Sequence, residues 1–136
     1  MKVFEMVATV TALLAANAQV APFAPFIVND GITDQESVID AALEAKGACV
    51  AVFRPAGAEV DSASNNSAAL ANAGMSVVVY DQPSVSHSPS GDELLYHVIK
   101  ALISGGEFQF QGYTLFEREK GGVACVADFT ARVTFR

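Results

Sequence analysis

The sequence predicts an α+β domain: a mixed, mostly antiparallel β-sheet with helices packed mainly on one face. Three observations predict it. From Val123 to Phe135 every second residue is apolar, and the residues between include Asp128, Thr130, Arg132 and Thr134, the mark of a long half-buried strand. Two capping-box patterns, Thr33 with Glu36 and Ser90 with Glu93, each precede an apolar stripe at helical spacing. Residues 48–53 and 75–80 are short apolar runs, as strands buried on both faces are.

Composition fits one domain with a real core. The chain has 136 residues, of which 51% are hydrophobic and 17% charged, and its mean hydropathy is +0.34. Disordered chains are more polar than this. Eight Lys and Arg against fifteen Asp and Glu leave a net charge of −7. Sequence-independent nucleic-acid binding needs clustered cations, so that class is disfavoured. Two cysteines allow one disulfide at most, which excludes a disulfide-framed mini-protein. No uncharged apolar run reaches the roughly 18 residues of a membrane span.

At the N-terminus, residues 1–21 mimic a secretory signal. Lys2 would be its charged start, Leu13 and Leu14 part of its apolar stretch, and Ala16-Asn17-Ala18 its small-x-small site. Glu5 sits where that apolar stretch should begin and counts against it. Val3, Val7, Val10 and Leu14 fall on one helical face, so the reading is an amphipathic helix ended by Pro22 at the latest. Phe23 and Phe26 then anchor an extended connector. Phe26-Ile27-Val28 reads as a strand closed by the turn Asn29-Asp30-Gly31. The next helix, capped at Thr33, presents Val38, Ile39, Ala42 and Ala45 and stops at Gly47. The strand 48–53 ends at Pro55.

Residues 56–73 read as an irregular insert, rich in Ser and Asn and acidic at Glu59 and Asp61. Residues 68–73 fit either a short strand or a loop. Asn65-Asn66-Ser67 matches a glycosylation acceptor, a pattern that often arises by chance. After the strand 75–80 and a proline- and serine-rich loop, the helix capped at Ser90 carries Leu95, Val98, Ile99 and Leu102 on one face and ends at Gly105-Gly106. Strand material around Phe108, Phe110 and Leu115 is interrupted at Gly112, where a bulge is expected. Lys120-Gly121-Gly122 is a hairpin turn into the last strand.

Motifs for chemistry are sparse. His87 lies in the serine-rich loop with no G-x-S-x-G elbow to make a nucleophile. His97, beside Tyr96 and off the core stripe, reads as a surface or interface histidine. No ligand spacing for zinc exists. Cys49 and Cys125, in apolar strands, read as buried free thiols. Asp34, Glu36, Asp40 and Glu44 read as a solvated helix face. No catalytic residue, cofactor or metal ligand is assigned, and the chain is read as a non-enzyme.

The layout nevertheless has a character of its own. An N-terminal helix leads to the strand "GACVAVFRPAG". "AGMSVVVYDQPS", a serine-rich loop and the capped helix "DELLYHVIKAL" follow. The pair "FQFQGYTLFERE" and "GGVACVADFTARVTF" closes the chain. This order resembles the tail-terminator and tail-completion proteins of tailed bacteriophages over nearly the whole chain, most of all from Met75 to Leu102 and through the terminal strand pair. The stretch from Gly57 to Ala73 departs from the pattern.

The resemblance implies a structural virion protein, assembled in the host cytoplasm. It would form a homo-oligomeric ring, often a hexamer, capping the head-proximal end of the tail tube and meeting tube and head–neck proteins. Residues 1–105 carry 4 basic and 11 acidic side chains, and residues 106–136 carry 4 of each. Acidic walls would let DNA slide through the lumen without specific binding, although the same charge also serves solubility. Neither a membrane nor a cofactor is implied. The candidate interface is Glu59, Asp61, Asn65, Asn66, Asp128, Arg132 and Arg136. The alternative reading is a stand-alone α+β ligand-binding or regulatory domain.

Overall fold

Five strands make one sheet in the order β1-β2-β3-β5-β4. The computed structural model describes residues 1–29, 35–60 and 70–135. β1 (Ile27–Asn29) pairs parallel with β2 (Ala48–Val60), because the chain between them crosses over through helix α2 (Gln35–Lys46). Every other pairing is antiparallel: β2 with β3 (Leu70–Asp81), β3 with β5 (Val123–Thr134), and β4 (Phe108–Glu117) with β5. The sheet is thus mixed and mostly antiparallel, as expected.

Helix α1 (Met6–Ala16) and helix α3 (Gly91–Ile103) cover one face. Met6, Val10 and Leu14 of α1 and Leu94, Val98 and Leu102 of α3 are fully buried against Val50, Val52, Val77, Val79, Ala127 and Phe129. Phe23 is buried in this core and Phe26 packs against it. Helix α2 lies on the other face. Its Ile39 and Leu43 pack on Cys49, which alternates along β2 with the core residues Ala48 and Val50 and so points the opposite way.

Several elements differ from their expected form. The first turn, Val3–Glu5, is a 3₁₀ turn, and α1 stops at Ala16, ahead of the limit set by Pro22. Asn17 ends it: its side-chain Oδ1 accepts from the Gln19 N–H at 2.9 Å, a local turn that competes with the helix. On α1 the innermost residues are Met6, Val10 and Leu14, while Val3 and Val7 sit at the edge of the core. On α2 the buried stripe is Ile39 and Leu43 with Ala42 beside them, and Val38 and Ala45 face outward. Gly47 does end α2: its φ is +79°, and its N–H returns to the Leu43 carbonyl at 2.9 Å.

The irregular insert is shorter than residues 56–73. β2 runs through Pro55 to Val60, and β3 begins at Leu70. Pairing shifts between Phe53↔Ser76 and Gly57↔Gly74, so three β2 residues stand against one of β3. Pro55 sits in that bulge, where a missing N–H breaks no ladder. The Thr33 cap, the turn at Asp30 and Gly31, and the Ser62–Ser67 stretch lie outside the described residues.

The C-terminal half follows its sequence closely. The Ser90 Oγ accepts from the Glu93 N–H at 3.3 Å, capping α3. β4 breaks register between Phe110 and Gly112, where Gly112 has φ +135°. In β5 the residues Cys125, Ala127, Phe129, Ala131 and Val133 are buried, and Asp128 and Arg132 between them are exposed. Among the described residues no helix is long and apolar enough to cross a membrane.

Candidate functional site

α2 covers only the β1–β2 side of its face of the sheet. Toward β5 the described residues leave the face open, and a groove of about 630 Å³ runs across β2, β3 and β5. Its floor is apolar: Phe53, Val78 and Val126 line it, and they pack with the buried Ala51 and Ala124. Arg54 flanks the groove, and Ser76, Gln111, Asp128 and Thr130 supply its polar groups. These polar groups pair with one another. The Ser76 hydroxyl donates to Asp128 Oδ1 at 2.7 Å, and the Gln111 amide donates to Thr130 Oγ1 at 2.9 Å. Gln111 reaches Thr130 because it is the extra residue at the β4 bulge.

Asp128, Thr130 and Arg132 alternate along one face of β5, so the strand displays a carboxylate, a hydroxyl and a guanidinium in a row roughly 13 Å long. Such a row can set register against a complementary surface. Register also links Glu59 to it: Glu59 stands opposite Asn72, and Asn72 opposite Arg132. The sequence reading assigned Glu59 to a loop and Arg132 to a strand; pairing through Asn72 brings their positions into one cross-strand row. Asp61, Asn65, Asn66 and Arg136 lie outside the described residues.

Two side-chain clusters escaped the sequence reading. In the first, the Arg118 guanidinium at the tip of the β4–β5 hairpin donates to Asp40 Oδ1 at 2.9 Å and to Glu36 Oε2 at 3.2 Å. Lys120 Nζ donates to Asp40 Oδ2 at 3.2 Å, and Arg118 lies 5.5 Å from the Tyr80 ring centroid. Glu36 and Asp40 are therefore not simply a solvated helix face: they hold the hairpin tip against α2. Asp34 lies outside the described residues. Hydrogen bonds from Arg118 and then Lys120 hold the Asp40 carboxyl below its ordinary value.

The second cluster involves His87, whose side chain is 8% exposed. Its Nε2 lies 2.6 Å from Asp81 Oδ1 and its Nδ1 2.8 Å from the Pro89 carbonyl. A carbonyl only accepts, so the contact with Pro89 is a hydrogen bond donated by the ring Nδ1–H. The ring seals the end of β3 against Gly47, where a side-chain carbon would come within 2.7 Å of His87 Cδ2. The pair ties a loop to the sheet. Nothing local in the sequence marks the first cluster, since Asp40 and Arg118 are 78 residues apart, whereas Asp81 and His87 are only six apart.

Both cysteines are free and buried. Cys49 belongs to the α2 side of the sheet and Cys125 to the α1–α3 side, so the sheet separates them. Burial pushes the Cys49 thiol up to about 12 and raises that of Cys125, the opposite of an activated nucleophile. Burial also raises the Tyr80 hydroxyl. His97 is half-buried on α3, with its ring edge-on to Tyr96 at 5.2 Å. Among the described residues no group of three His, Cys, Asp or Glu side chains could hold a metal ion. No protein-family model matches the chain, and no curated protein matches it either.

Proposed function

We propose that the chain is a structural ring subunit that caps the head-proximal end of a bacteriophage tail tube and joins it to the neck. The observation that carries this reading is the open half of the sheet. An apolar floor there is rimmed by charges of both signs, Asp128 and Arg54, and Arg132 continues the charged row along the same face of β5. A head-to-tail ring needs two different complementary patches on each subunit, and the β5 row supplies one of them. An acidic surface on the neighbour is its natural complement, because 11 of the 15 acidic residues lie before residue 106. A charge pair at such a rim adds modest affinity and sets register.

A second reading, a ligand-binding or regulatory domain, draws on the groove volume. It falls within the roughly 300–1,000 Å³ of small-molecule sites. Against it, the polar groups of the groove are already bonded pairwise, Ser76 to Asp128 and Gln111 to Thr130. A ligand would have to break those bonds to be recognised.

The test is a particle. Tails assembled without this protein should be overlong or headless in electron micrographs, and normal particles in its absence would overturn the reading. Arg132→Glu should impair joining of tails to heads. Normal assembly with that variant would leave the function standing and reject the β5 row as the interface.

A further inference from the structure

We propose that β4 is a self-docking edge, which pairs antiparallel with β4 of a second copy about a two-fold axis at Thr114. β4 is the last strand of the sheet, so among the described residues one side of its backbone has no strand neighbour. Natural edges are usually blunted by lysine, proline, a bulge or short length. β4 is ten residues long and contains neither lysine nor proline, and its bulge lies before Gly112, which leaves Gly112 to Glu117 in unbroken register. Its apolar side chains are nonetheless outside: Tyr113, Leu115 and Phe116 are each more than half exposed, and Phe110 is 38% exposed. With roughly 150–250 Å² per aromatic side chain, these four leave about 400 Å² of apolar surface per copy. Two copies, with their backbones, then approach the ~1,000 Å² that a specific interface needs.

The occupant follows from length, charge and register. The opposite edge, β1, has only three residues and cannot match ten. Copies of a chain with net charge −7 repel, yet residues 108–116 carry no charge at all. Opposed residues of an antiparallel pair must share a face. Pairing with β5 puts Tyr113 and Leu115 on the Ala127 and Cys125 side, and Gly112, Thr114 and Phe116 on the other. A two-fold axis at Thr114 respects this division. It sets Tyr113 beside the second copy's Leu115 and lays Phe116 over the second copy's Gly112, where no side chain competes. The paired stretch runs from Gly112 to Phe116 and stops at the bulge before Gly112. The product is one continuous ten-stranded sheet. This pairing is independent of the tail reading, because a closed two-fold contact and a head-to-tail ring use different surfaces.

Sedimentation equilibrium of the purified chain at micromolar concentration should give twice the 14.2 kDa chain mass. Thr114→Lys sets two ammonium groups face to face at the axis and should raise the dimer dissociation constant at least tenfold. Gln19→Lys, an exposed change elsewhere, should leave it unchanged, with circular dichroism showing both variants folded. Thr114→Cys reads the register. Directly opposed residues lie about 4.5–5.5 Å apart, within disulfide reach, so mild oxidation should link this variant into a covalent dimer. Gln109→Cys should not link, since it lies beyond the paired stretch. A monomer at all concentrations, or an oligomer indifferent to Thr114→Lys, would overturn the proposal. Cross-linking through position 109 but not 114 would overturn it as well.

Discussion

β4 and β5 are the two arms of one hairpin, nearly equal in length, and they end up in opposite environments. β5 lies between β3 and β4, and every second residue from Cys125 to Val133 is buried. β4 has a strand on one side only, and Phe108 alone among its residues is buried. Phe110, Leu115 and Phe116 are as apolar as anything in β5 and remain exposed. Place in the sheet, and not apolar content, decided burial here. Apolar residues left outside after every internal partner is taken are a surface to be covered by something else. The two faces of the sheet repeat the contrast. One is closed by α1 and α3, and the other is half open beside α2.

The largest expected effect lies in β5. Phe129→Ala removes a fully buried side chain and should cost about 3–5 kcal/mol of stability in denaturant unfolding. Leu115→Ala in β4, measured at concentrations where the chain is monomeric, should stay within about 0.5 kcal/mol of wild type. Equal costs would erase the contrast between the strands. Leu14→Ala, on the closed face, comes next at about 2–5 kcal/mol. A much smaller cost would mean that α1 is not part of the core.

A weaker effect sharpens the role of the hairpin tip. The Asp40 carboxyl is held below its ordinary value by Arg118 and Lys120, so its contribution to stability is present above the usual carboxylate range. That contribution is lost as pH falls through the depressed value. Asp40→Asn should therefore melt below wild type at neutral pH, with the gap closing at pH below about 4. A gap that persists in strong acid would show that charge does not hold the tip.

How much of this was legible follows the range of each interaction. The β5 alternation, the Ser90 cap, the Gly112 bulge and the turn at Gly121 and Gly122 are local patterns, and they folded as written. Pro55 misled because its tolerance depends on a bulge formed with a strand some twenty residues onward. The stripe of α2 was displaced because Ile39 and Leu43 follow the position of Cys49, which periodicity does not encode. Of the candidate interface, the place of Asp128 and Arg132 on one strand face was readable from their spacing. Their link to Glu59 through Asn72, the Arg118 cluster and the open half-face beside α2 come from strand order and long-range pairing, while the pair of His87 with Asp81 comes from the path of one loop.

The central claim is that this chain stops a growing tube, and purified components test it most directly. Tail-tube protein is polymerised with and without the chain, and tube lengths are measured by electron microscopy. The account predicts shorter, more uniform tubes with added density at one end, and loss of both effects with Arg132→Glu. Tubes of unchanged length with bare ends, in the presence of excess folded protein, would contradict it.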